Sequence, residues 1–241
     1  LSGEAAPTGS PYTRSHWIPR PTPPHIPLAD YLLRHGRAMP RICRVSAEVE
    51  RPEAPALPDE EPIVFAANHR SFLDIAAALA VFGQFELSCR IQVRADMFEM
   101  PVVGRWLHRL GCIPTSTAVR AQAEDTAVET LLAGSTVGIM PEGRLVPPRD
   151  RPHGVGPART GVSRIAERTG AIVVPVAIHG SDEIWPVGRP FPKLGLFRRR
   201  RLIVRLGEPI EFVEGEHQAN ADRLMESIAT LLREMDAENA G

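Results

Sequence analysis

The chain has 241 residues, 43% of them hydrophobic, and a formal net charge of −1. That length and apolar content suffice for one α/β domain with a sizeable core, so no second domain is expected. A near-neutral charge argues against a general nucleic-acid binder and leaves any anionic partner to local basic patches, while no run of about 18 apolar residues is present to cross a bilayer.

Residues 1 to 27 contain seven prolines and almost no apolar periodicity, which predicts a disordered or extended arm ahead of a domain over 28–241. No signal-peptide pattern precedes the domain. From Pro27 to Ala38, Leu28, Tyr31 and Leu32 recur at helical spacing, for a helix that covers the sheet or lies on a membrane surface. Arg41 to Val49 then alternates as a strand. Cys43, Cys89 and Cys112 are far apart and form no C-x-x-C pattern, which fits a reducing cytosol and offers no metal site.

Ile63 to Ala67 reads as a buried strand that runs directly into Asn68-His69-Arg70-Ser71-Phe72-Leu73-Asp74. Ser71 and Asp74 have the S-x-x-D spacing of a capping box, so a helix starts here. On a regular helix His69 and Asp74 would point roughly 140° apart. With His69 in the turn before Ser71, its ring can fold back onto the Asp74 carboxylate. Asp74 would then fix the tautomer and support the imidazolium, leaving the other ring nitrogen to take a proton from a substrate hydroxyl. In the alternative, Asp74 only caps the helix, for about 1 kcal/mol, and His69 is a loop residue.

Ile75 to Phe82 predicts an apolar helix too short to span a bilayer, and Ile91 to Val93 a strand ending at Arg94. A helix over about 102–110 places Val103, Trp106, Leu107 and Leu110 on one face, followed by a short strand at Cys112-Ile113-Pro114. Ala121 to Ala133 is helical, with Gly134 as its stop. The strand Val137 to Met140 delivers Pro141-Glu142-Gly143-Arg144 to its carboxyl end, where α/β sheets bind ligands. Arg144 is suited to grip a phosphate in a bidentate manner. Glu142 would repel an anion unless it orients Arg144 or holds a backbone amide.

Residues 147 to 161 read as a long loop in which Arg159 is either exposed or a phosphate contact. The Gly156 to Ser163 stretch lacks both the lysine and the preceding strand of a nucleotide-binding loop. A helix from Gly161 to Arg168 precedes an apolar strand, Ala171 to Ile178, in which Pro175 implies a local interruption. His179 and Asp182 read as turn punctuation rather than a second acid–base pair. From Arg189 to Arg205 there are seven basic residues and no acidic ones, before a strand at Leu202 to Leu206. The chain closes with an amphipathic helix carrying Leu224, Ile228, Leu231, Leu232 and Met235 on one face.

Five ordered stretches resemble the glycerolipid acyltransferase superfamily, typified by the 1-acylglycerol-3-phosphate acyltransferases. They are Asn68-His69 through Asp74, Phe98 to Arg105 with Gly111-Cys112-Ile113-Pro114, Pro141 to Arg144, Val173 to Val176, and Gly207 to Ile210, within a likeness over roughly 28–235. The resemblance implies a single-domain α/β fold, a mixed sheet flanked by helices. It implies transfer of a fatty acyl group from acyl-CoA or acyl carrier protein, with no further cofactor and no metal, to a hydroxyl of a lysophospholipid or glycerol phosphate, 1-acylglycerol-3-phosphate foremost. His69 would be the general base, supported by Asp74. Arg144, Gly143, Glu142 and Arg94, the last at a position where the family often has Lys, would meet the acceptor phosphate. Arg159, Arg198, Arg199, Arg200 and Arg201 would contact the acyl carrier or an anionic membrane, with the protein peripheral on its cytoplasmic inner face. A thiolate with a free pKa of about 8.5 leaves without strong protonation, so direct attack needs no acyl-enzyme, and backbone amides near Gly143 would hold the oxyanion.

Two blocks depart from the family pattern. The third usually continues Glu-Gly-Thr-Arg-Ser, where this chain has Arg144-Leu145-Val146, and the second usually ends in Arg, where this chain has Thr115-Ser116-Thr117 with Arg120 the nearest basic residue. A different lysolipid or amine-bearing acceptor, or a degenerate lipid-binding membrane adaptor, therefore stays open. A serine hydrolase would need G-x-S-x-G, which occurs nowhere.

Overall fold

The computed structural model describes residues 47–50, 61–84, 89–189, 193 and 200–240. The predicted arm, the helix over 27–38, Cys43, Arg198 and Arg199 lie outside the described residues, and of Arg200 only the backbone is described.

Seven strands form one mixed sheet in the order β1-β7-β6-β2-β5-β3-β4. They are β1 (Ala47–Glu50), β2 (Ile63–Ala67), β3 (Cys89–Arg94), β4 (Ile113–Thr115), β5 (Thr136–Ile139), β6 (Ile172–His179) and β7 (Arg200–Leu206). Only the β6–β7 pair is antiparallel. Central strands β2 and β6 are apolar almost throughout because both their faces are covered, the pattern expected of parallel strands sandwiched between helices.

The two faces bury different residues, as the period of two along a strand requires. On one face Phe65, Val174, Ile91 and Leu202 pack against α1 (Leu73–Gln84), α2 (Val103–Arg109) and α5 (Ser181–Ile184), through Leu73, Ala77, Leu107 and Ile184. On the other Val64, Val173, Val137 and Ile203 meet α3 (Arg120–Leu132), α4 (Gly161–Thr169) and α6 (His217–Ala240). On α3 Ala123, Ala127, Thr130 and Leu131 are all buried, as are Leu224, Ile228, Leu232 and Met235 of α6. Helix α4 ends at Gly170, whose φ of 65° is the left-handed conformation that glycine adopts without strain.

The interruption expected at Pro175 falls on its neighbour rather than on its own strand. Strand β6 runs unbroken through the proline, which pairs in register with Ala66. Pro175 accepts from the Gly207 amide (2.8 Å), so its missing donor would face the same side, and β7 stops there, at Leu206. The stretch Gly207 to Ile210 is not a strand; Ile210 makes a single bridge to Val173.

Candidate active site

Four adjacent parallel strands, β2, β5, β3 and β4, point their carboxyl ends at one cavity of about 1180 Å³. Its lining includes His69 and Phe72 after β2, Arg94 at the end of β3 with Asp96 beyond it, Thr115 at the end of β4 with Ser116 and Thr117, and Gly143 to Leu145 after β5. Ligands of α/β sheets bind at such strand ends.

The exit of β2 is fixed by Asn68, which is fully buried and uses its carboxamide as a surrogate peptide. Its Nδ2 donates to Ile178 O (2.9 Å) and its Oδ1 accepts from Ile178 N (2.7 Å), extending the β2–β6 ladder by side chain after the strand has ended. The chain then turns, and His69 folds back so that Nδ1 lies 3.0 Å from Asp74 Oδ2. The same Oδ2 accepts from Arg70 N (2.6 Å) and Ser71 N (2.8 Å). Asp74 therefore caps the turn and orients the histidine at once; the two sequence readings are not exclusive. The other half of the box is shifted: Ser71 Oγ accepts from Leu73 N (3.1 Å), not from Asp74 N, and donates to Trp185 O (2.8 Å). His69 keeps 15% of its side chain exposed, and with Nδ1 committed to a fully buried carboxylate, Nε2 is the nitrogen left to meet a substrate.

Glu142, grouped by the sequence with the acceptor phosphate unless it held a backbone amide, holds two of them. It is buried, its Oε2 accepts from His69 N (2.5 Å) and its Oε1 from Gly156 N (2.6 Å). Burial pushes its carboxyl up, opposed by those two amides and by His69. Both oxygens are occupied, so Glu142 braces the turn rather than facing an anion. Glu142→Gln must set an NH₂ against one of these amides; it is expected to cost about 1–3 kcal/mol of stability in urea denaturation and to lower turnover with it. A stability within error of the parent would mean that the two amides do not depend on the charge.

The cavity's other basic side chains are arginines, and it also holds the carboxylates of Asp96 and Glu124. Arg94 makes two bonds to Asp96 (3.1 and 2.5 Å), Arg144 Nη2 meets Asp150 Oδ2 (2.9 Å), and Arg164 pairs with Glu124. Arg120 and Arg159 also line the cavity and are exposed, and among the described residues neither side chain has a partner. The sequence set Arg159 apart from the acceptor group, yet it shares the cavity with His69. Gly143's own amide donates to Met140 O (2.9 Å), so it is not available as an oxyanion donor. Arg201 is exposed on β7, next to the edge strand β1, and bonds Asn239 (2.5 Å) rather than approaching this cavity. His179 and Asp182 do not meet: His179 pairs with Asp236 (2.8 Å) and Asp182 with Arg151. Cys89 and Cys112 are buried free thiols that burial pushes up, Cys112 to about 12, so neither is a ready nucleophile.

No sequence signal marked Arg70 or Gly156, whose partners lie 84 and 14 residues away. Among the described residues no three or more His, Cys, Asp or Glu gather as a metal site, and no helix is long and apolar enough to cross a membrane.

A family model described as Acyltransferase matches residues 46–179. Among curated proteins, the chain is 32% identical over 132 residues to the chloroplastic 1-acyl-sn-glycerol-3-phosphate acyltransferase BAT2 of Brassica napus, covering 54% of this chain and 36% of that protein. It is 27% identical over 168 residues to LPAT1 of Arabidopsis thaliana, a chloroplastic protein of the same description, covering 68% and 42%. The chain thus spans well under half the length of these relatives. The crystal structure of the 1-acyl-sn-glycerophosphate acyltransferase PlsC from Thermotoga maritima shares the fold, with a TM-score of 0.68 at 22% identity over 87% of this chain and 80% of that one.

Proposed function

Because the chain belongs to the acyltransferase family, its model spanning more than half of the residues, we propose that it moves a fatty acyl group from a thioester to the hydroxyl of a lysophospholipid, with 1-acylglycerol-3-phosphate the first candidate. The observation that carries the reading is the His69 Nδ1 to Asp74 Oδ2 contact of 3.0 Å, made by a histidine that lines the cavity. His69 Nε2 removes the acceptor hydroxyl's proton as that oxygen attacks the thioester carbonyl, and the Asp74 carboxylate stabilises the imidazolium that forms. The carbon–sulfur bond breaks and the thiolate departs, with no covalent intermediate on the protein. The arginine-lined wall favours a phosphate-bearing substrate, whether the phosphate belongs to the acceptor or to an acyl-CoA or acyl carrier protein donor. A lipid acceptor favours a site at an anionic membrane face, to which exposed Arg201 contributes.

Thiol release by the purified chain, measured with acyl-CoA and acyl carrier protein against lysophosphatidate, glycerol 3-phosphate and amine-bearing lysolipids, tests this. Lysophosphatidate is expected to support the fastest release. Binding of lysolipid with no thiol release from any pair would instead identify a lipid-binding adaptor.

A further inference from the structure

Arg70 stands between the reacting turn and the loop that closes over it. Its backbone amide belongs to the turn, bonded to Asp74, while its buried guanidinium donates from Nε (3.2 Å) and Nη2 (2.6 Å) to Gly154 O. Gly154 has φ +86°, and a Cβ there would lie 3.0 Å from Arg70 Nη2, so the loop is drawn as near to the guanidinium as a residue without a side chain permits. The loop is fixed at two further points, Gly156 N on Glu142 Oε1 and Arg159 N on Pro141 O (2.8 Å). Near its end Arg159 lays a guanidinium across Gly143, where an added Cβ would stand 2.7 Å from Arg159 Nε.

Arg70 is not placed where a cation is cheap. Burial lowers its pKa most and Arg151 lowers it further, against the carboxylates of Asp182, Asp74 and Asp236, which raise it. An apolar residue of similar volume would pack there without that penalty, so the charge calls for a reason beyond packing. We propose that Arg70 is a positioning residue: by holding the loop at Gly154 it presents Arg159 across Gly143 to the phosphate of the substrate bound at His69. This rests on the acyl-transfer reading above, and the phosphate is either the acceptor's or the donor's.

The test is steady-state kinetics of the full chain with Arg70→Met, which keeps the stem but not the donors, alone and combined with Arg159→Ala. Arg70→Met is expected to raise KM about tenfold for short-chain lysophosphatidate, to leave the phosphate-free monoacylglycerol unchanged and kcat within about threefold, and to add less than about twofold once Arg159 is alanine. Arg70→Lys, which restores a donor, recovers part of the loss. If the donor's phosphates are the ligand, the KM rise appears for acyl-CoA and not for an acyl N-acetylcysteamine thioester. Losses that multiply with those of Arg159→Ala, or that persist when a phosphate-free acceptor is paired with the N-acetylcysteamine thioester, overturn the proposal. Gly154→Ala strikes the same contact from the loop side; should Arg70→Met not fold, a KM rise in Gly154→Ala that vanishes without Arg159 supports the proposal and an unchanged KM overturns it. If the parent releases no thiol, the acyl-transfer reading fails on its own, and calorimetric binding of sn-glycerol 3-phosphate and of CoA decides this one: weaker binding of either in Arg70→Met supports it, unchanged binding of both refutes it.

Discussion

His69→Ala is expected to lower kcat by roughly 10² to 10⁴ while the protein stays folded, because general-base transfer is worth that much in rate. The ring is 15% exposed, and its one side-chain bond among the described residues is to Asp74. The backbone bonds that hold the turn, His69 N to Glu142 and Val146 N to His69 O (2.9 Å), survive the substitution. Loss of turnover with an unchanged urea midpoint is therefore the expected pair of results. Near-normal turnover would remove His69 from the chemistry.

Asp74→Asn is expected to lower kcat by a comparable factor, roughly 10² to 10⁴, and also to destabilise the protein. Oδ2 accepts three N–H groups, so the asparagine oxygen must take that place to keep the turn. Its NH₂ is then forced into the position of Oδ1, which is buried without a partner, at a cost of about 1–3 kcal/mol. The negative charge facing the imidazolium is lost as well. Turnover within about threefold of the parent, alongside reduced stability, would leave Asp74 a cap and nothing more. Measuring kcat and the urea midpoint on the same preparation separates the two roles.

The interactions used here divide by sequence separation. Ile63 to Ala67, Val137 to Ile139 and Ile172 to Ile178 declare themselves as strands through unbroken β-branched and apolar runs, and α6 through its apolar stripe. The His69–Asp74 contact was legible for the same reason, being an interaction across five residues that a turn's geometry nearly dictates. Glu142 illustrates the opposite case: its position after β5 was readable, but its bonds to His69 N, 73 residues away, and to Gly156 N depend on how two loops meet.

By itself, then, the sequence determined the α/β class, the strand that delivers His69, the start of the helix that carries Asp74, and the ordered blocks of the family, because each is encoded within a few residues by periodicity and local hydrogen bonding. Only the tertiary structure decided which charges face the cavity. Arg94 and Arg144 reach it paired with Asp96 and Asp150, Arg159 reaches it unpaired among the described residues, Glu142 turns inward, and Arg70 grips Gly154. A side chain's charge is written in the sequence, but its field depends on the partner and burial it meets after folding, and those come from residues that are distant along the chain.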